Sequence, residues 1–102
     1  MRVLIVDDQR SIRIVSSFLV SALGHEVIEA NCGQDAIDIC KNEKVDLVLM
    51  DVSMPGMSGF EATKKIREDS SSWFPIIFQS ANTDPKFFSE GIQSGGDIYL
   101  NL

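Results

Sequence analysis

Short, largely apolar runs alternate along this chain with stretches whose apolar residues recur every three or four positions, and this alternation restricts the fold more than any other feature. Residues 3–6 are apolar throughout and rich in β-branched side chains, and 27–30, 45–50, 75–79 and 98–100 are further, largely apolar runs of strand length. Between them, Ile12, Val15, Phe18, Leu19, Ala22 and Leu23 form one apolar helix stripe closed by Gly24. Ala36, Ile37 and Cys40 mark a second, weaker helix. Phe60, Thr63 and Ile66 mark a third over residues 59–69, broken by Ser70-Ser71-Ser72, and Phe87, Phe88 and Ile92 a fourth over residues 84–94.

Runs that are apolar throughout suit strands buried on both faces, and such strands lie parallel, joined by crossover helices. The pattern therefore predicts an α/β fold: a doubly wound, five-stranded parallel sheet in a single domain spanning residues 1–102. The 102 residues suffice for one core and not for two. In such sheets ligands bind beyond the carboxyl ends of the strands. Those ends carry Asp7 and Asp8 after the first run, Asp51 after the third, Ser80 after the fourth and Tyr99 near the end of the fifth.

Each of these polar residues could simply cap the helix that follows it. Three carboxylates on one rim are poorly explained that way, because neighbouring like charges about 4 Å apart repel by about 4 kcal/mol at an effective dielectric of about 20. A cation among them removes the conflict. Oxygen-only donors without histidine or cysteine point to magnesium rather than zinc.

Composition narrows the function. A net charge of −6 and no basic cluster beyond Lys64-Lys65-Ile66-Arg67 argue against a nucleic-acid or anionic-membrane surface. No apolar run approaches the roughly 18 residues of a membrane span, and no leader pattern opens the chain, so a cytoplasmic protein is expected. Cys32 and Cys40 lack the spacing of a metal or redox motif, and Cys40 falls in register with the second helix stripe as a packing residue. His25 reads as a turn residue, and Trp73 is expected to pack over its loop against the fourth strand. Phe87 and Phe88 are adjacent on one helix, so they cannot both face inward.

With these residues in place, the chain resembles the receiver domains of two-component response regulators. The likeness is carried by Val6-Asp7-Asp8, by DLVLMDVSMPGMSG over residues 46–59, by Ser80-Ala81 and by GGDIYL over residues 95–100. It implies a flavodoxin-like receiver fold with strand order 2-1-3-4-5. It further implies that Asp51 accepts a phosphoryl group from a histidine kinase or phosphotransfer protein. Asp8 is then a direct Mg2+ ligand, Asp7 a ligand through water, and the Ser53 carbonyl the remaining protein ligand. Ser80 is similar to the hydroxyl switch residue and Tyr99 to the aromatic switch residue, while Pro55 and Gly59 shape the loop after the phosphoacceptor. Such a domain is not an enzyme with a separate substrate; it assists its own phosphorylation and dephosphorylation, and an effector domain in the parent protein would carry the output.

One position departs from the pattern: the family's lysine falls on Leu102, and the family's last helix has no counterpart in the sequence. Two accounts fit, a receiver truncated at its C-terminal end and a degenerate, phosphorylation-independent receiver that serves as an interaction module; the first is preferred. Either way, apolar residues of the last three strands are expected to lie uncovered beside the first helix, favouring self-association or marginal stability. Other classes fit less well. An aspartate-nucleophile phosphatase needs Asp-x-Asp where this chain has Gln9, a flavodoxin-like flavin site would have its phosphate repelled by Asp7-Asp8, a dinucleotide site needs Gly-x-Gly-x-x-Gly after the first strand, and Gly95-Gly96-Asp97 lacks the Glu-Phe of a diguanylate cyclase signature.

Overall fold

The computed structural model describes residues 1–81 and 84–101. Leu102, at the lysine position, lies outside the described residues, as does Asn82. The elements run β1 (Arg2–Val6), α1 (Arg10–Ala22), β2 (Glu26–Ala30), α2 (Gly33–Asn42), β3 (Leu47–Asp51), α3 (Gly59–Asp69), β4 (Ile76–Ser80), α4 (Pro85–Ser94) and β5 (Ile98–Asn101). All strand pairs are parallel, in the order β2-β1-β3-β4-β5. This is the doubly wound sheet the alternation predicts.

Helices α2, α3 and α4 share one face of the sheet. There Leu4, Val6, Val48, Met50, Ile76 and Phe78 meet Ala36, Ala62 and Ile66, all with at most 1% exposure. Burying each of the large side chains contributes about 1.5–3 kcal/mol. Local chemistry sets the helix ends: Ser58 caps α3 by accepting from the Glu61 N–H at 3.2 Å, and Ser70 ends it. Asp84 caps α4 by accepting from the Lys86 N–H, with Pro85 in the first turn and Gly95 closing the helix at φ 109°.

The two α4 aromatics divide as expected. Phe87 packs edge-on against Phe60 with centroids 5.9 Å apart, while Phe88, 55% exposed, leans on Tyr99 at 6.4 Å. Tyr99 in turn touches Phe78, which stands edge-on to Phe60 at 5.0 Å. The turn into β5 passes directly over this cluster, and a Cβ at Gly96 would fall on the Phe78 ring.

Helix α1 departs from the simple reading of its stripe. None of its residues is buried, and Val15, Phe18, Leu19 and Leu23 are each more than half exposed. Among the described residues it packs mainly on β1 and β2, over the side that Val3 and Ile5 face. On β5, Ile98 and Leu100 alternate with the inward Tyr99 and are also exposed. Of the last three strands, only β5 carries the expected exposed apolar residues among those described, whereas Leu47 and Leu49 of β3 and Ile77 of β4 are half-buried. Trp73 is a correction of a different kind, since it is 70% exposed and its ring lies 5.8 Å from the Arg67 guanidinium rather than over β4. Arg67 donates instead to the carbonyls of Gly95 and Phe74 and pairs with Asp97, tying α3 to the start of β4 and to the α4–β5 turn.

A candidate phosphoacceptor and metal site

Register builds the site. Val6 is level with Met50 across β1 and β3, so the next residues, Asp7 and Asp51, emerge side by side at the same sheet edge. Asp51 is in turn level with Gln79 on β4, which places Ser80 one residue further along the rim. One carboxylate oxygen from each of Asp7, Asp8 and Asp51 lies within 4.8 Å of the others. The residues are distant in sequence and meet because a parallel sheet gathers the carboxyl ends of its strands.

None of the three acts as a helix cap. The N-cap of α1 is Gln9, whose side chain makes no capping bond, and α3 and α4 are capped by Ser58 and Asp84. Asp7 is 8% exposed. Its N–H donates to the Ala30 carbonyl at 3.1 Å, and its Oδ1 accepts from the Gln9 N–H at 2.9 Å. The Asp51 Oδ1 takes a long bond from the Ser53 N–H, 3.4 Å, and the Asp51 carboxyl also lies within hydrogen-bond reach of Asp8. Asp8 Oδ1 is buried without a hydrogen-bond partner. A buried carboxylate oxygen left unpaired is costly unless a cation meets it.

The electrostatics agree. Desolvation first, then the adjacent Asp7 and Asp8 carboxylates, push the Asp51 carboxyl up to about 7, against a smaller opposing pull from the Ser53 N–H. Burial also raises Asp7 above its usual range, only partly offset by the Gln9 N–H. Without a counter-ion this cluster strains to hold its charge. All-oxygen donors, an orphaned buried oxygen and mutual repulsion together fit a small hard dication such as Mg2+.

Asp7, Asp51, Ser53 and Ser80 line a common cavity of about 340 Å³, together with Gln9, Ile12, Gln79 and Ala81. Tyr99 is elsewhere: level with Phe78 rather than Ser80, it lies in the aromatic cluster under α4. A second hollow of about 220 Å³, between Cys40, Lys44, Trp73 and Pro75, opens at the opposite ends of β3 and β4. Its acids Glu43 and Asp46 are already tied to Arg2. Burial lifts the Cys40 thiol to about 11, as befits a packing residue.

The loop after Asp51 turns at Gly56, φ 78°, and returns so closely that a Cβ at Gly59 would fall on the Asp51 carbonyl oxygen and within 3.0 Å of Val52 Cα. Neither neighbour is a flexible side-chain end. Gly59→Ala is therefore expected to lower stability by about 1–3 kcal/mol and to displace the Asp51 carboxylate; thermal melts with and without Mg2+ check both effects. Gln9, Ile12 and Gln79 on the rim, and Arg13 behind it, were not legible as site residues. The only signal in the sequence is an arginine placed in the opening turns of the helix that follows the acidic pair.

Comparison with known proteins bears directly on this geometry. The response regulator receiver domain family model matches residues 3–101. The CAI-1 autoinducer sensor kinase/phosphatase CqsS of Vibrio cholerae is 39% identical over 101 residues, which is 97% of this chain and 15% of that protein. Response regulator UvrY of Escherichia coli is also 39% identical over 101 residues, covering 97% of this chain and 46% of that protein. The chain thus spans less than half the length of these curated relatives. Among solved structures, Vibrio cholerae chemotaxis protein CheY4 superposes with a TM-score of 0.93 at 35% identity, over 98% of this chain and 84% of that one. The receiver domain of the histidine kinase CKI1 from Arabidopsis thaliana, complexed with Mg2+ and BeF3-, does so at 0.90 and 30% identity, over 98% and 79%. With its strand order, its acidic rim and these likenesses in agreement, the chain belongs to the response regulator receiver domain family.

Proposed function

We propose that this domain accepts a phosphoryl group on Asp51, from the phosphohistidine of a partner histidine kinase or phosphotransfer protein, in a magnesium-dependent reaction in the cytoplasm. The observation that carries the reading is the convergence of Asp7, Asp8 and Asp51, with Asp8 Oδ1 buried and unpartnered. Asp8 and Asp51 would hold the metal directly, Asp7 through water, and the Ser53 carbonyl would complete the protein's share. When bound, Mg2+ neutralises the carboxylates and the equatorial phosphoryl oxygens.

The residues divide the remaining work. An Asp51 oxygen forms the new O–P bond while the phosphorus–nitrogen bond to the donor imidazole breaks; with a proton on its other ring nitrogen, the donor leaves as a neutral histidine and Asp51 becomes an acyl phosphate. Ser80, on the rim of the same cavity, then offers its hydroxyl to a phosphoryl oxygen. That inward movement of the β4 end frees space for Tyr99, whose ring lies between Phe78 and Phe88. The domain assists its own phosphorylation and dephosphorylation rather than turning over a separate substrate. The relatives named as a sensor kinase/phosphatase and a response regulator support such partners, and an effector elsewhere in the parent protein would read the switch.

A phosphorylation-independent interaction module is the second reading, motivated by Leu102. The intact acidic cluster favours the first. Incubation of the chain with a small acyl-phosphate donor, followed by intact-mass measurement, separates them. One added phosphoryl group in Mg2+ and none in a chelator is the expected result; no mass gain in Mg2+ overturns the acceptor reading.

A further inference from the structure

Arg13 on α1 is the only cation that reaches the acidic turn among the described residues, and it does so through its geometry. Its Nη1 donates to the Asp7 carbonyl at 2.8 Å, and its Nε donates to Glu29 Oε1 on β2 at 3.1 Å. The side chain is only 16% exposed. The Asp7 carbonyl belongs to the peptide that leads into Asp8, and a peptide is planar, so fixing this oxygen fixes the plane from which the Asp8 side chain departs. The Asp7 N–H is held by the Ala30 carbonyl and its Oδ1 by the Gln9 N–H. With Arg13 in place, the N–H, the carbonyl and one carboxylate oxygen of Asp7 all have partners.

We propose that Arg13, clamped by Glu29, is a positioning residue that aims Asp8 at the cation site. The inference rests on the metal-dependent reading above and deepens it. A positive charge beside a cation site opposes cation binding by Coulomb's law, so an arginine kept here contributes by holding the turn. A guanidinium presents a planar fork that satisfies a carbonyl and a carboxylate together; a lysine ammonium keeps the charge without the fork.

The discriminating experiment is Mg2+ titration by calorimetry on the wild-type chain, Arg13→Lys and Arg13→Gln, with thermal melts of each in the absence of metal. Positioning predicts that Arg13→Lys weakens Mg2+ binding roughly tenfold, in the range seen when outer partners of metal ligands are lost, and that Arg13→Gln weakens it too. A purely electrostatic Arg13 leaves the lysine variant unchanged and makes the glutamine variant bind more tightly. A merely structural Arg13 lowers the melting temperature and leaves the affinity unchanged. Either of these last two results overturns the proposal while the metal reading stands. A wild-type chain that binds no Mg2+ overturns both. Arg13→Lys keeps the charge and most of the stem, so it reports even where the glutamine variant fails to fold.

Discussion

Asp51→Asn is expected to leave a folded domain that gains no phosphoryl mass under conditions in which the wild-type chain gains one. Asparagine keeps the size of the side chain and removes the nucleophilic carboxylate. It should also change how stability depends on pH. The Asp51 carboxyl is raised from 3.8 to about 7 in the folded chain, by burial and then by Asp7 and Asp8. An acid raised on folding binds its proton more tightly in the native state, so its stabilising contribution is present below the unfolded value and is lost as pH rises through the folded one. The metal-free wild type should therefore melt at a lower temperature at pH 8 than at pH 5. Because solvent reaches much of the side chain, the loss is discounted to about 1–2 kcal/mol, or several degrees in Tm for a domain of this size. Asp51→Asn should flatten most of that slope, and saturating Mg2+ should flatten it in the wild type. An asparagine variant that still gains one phosphoryl group sinks the acceptor assignment; one that keeps the full pH slope shows that another group titrates there.

Asp8→Ala carries the second large effect. Asp7 Oδ1 already accepts a backbone hydrogen bond from Gln9, whereas Asp8 Oδ1 is buried and unpaired, and the proposed site accordingly takes Asp8 as its direct ligand. Calorimetric Mg2+ affinity should fall by roughly 100-fold or more in Asp8→Ala and by about tenfold in Asp7→Ala, since loss of an outer partner costs about 10–100-fold and loss of a ligand costs more. Both variants should suppress phosphorylation. Without metal, Asp8→Ala should melt no lower than the wild type, because it removes an unsatisfied oxygen and a repulsive charge together. Equal affinities in all three proteins refute the ligand assignment. Ca2+ should bind but support less phosphorylation, since its longer bonds misplace the phosphoryl oxygen.

Much of the fold was legible because local chemistry encodes it. Residues 59–69 read as a helix and form α3 over the same span, since Ser58 caps its start and the serine run ends it. The parallel sheet follows from apolar runs too continuous for a half-solvated strand. The acidic rim was legible for a geometric reason: in a parallel sheet, the residues just after each strand share one edge, so Asp7, Asp8, Asp51 and Ser80 could be gathered by position alone.

What only the tertiary structure decided depends on what stands opposite each side chain. The α1 stripe and the stripe of α3 look alike in sequence, yet Ile66 is 1% exposed and Phe18 72% exposed, because α3 has α2 and α4 beside it while, among the described residues, α1 packs mainly on β1 and β2. Trp73 is exposed with its ring beside the Arg67 guanidinium, while Arg67 donates to Gly95, Phe74 and Asp97. Neither the orphaned Asp8 oxygen nor the Arg13–Glu29 clamp could be seen in a string of residues, since each depends on contacts between elements brought together by folding. Hydrophobic period records which side of an element seeks burial, whereas the partner that satisfies a carbonyl or abandons a carboxylate is fixed by packing across the sheet.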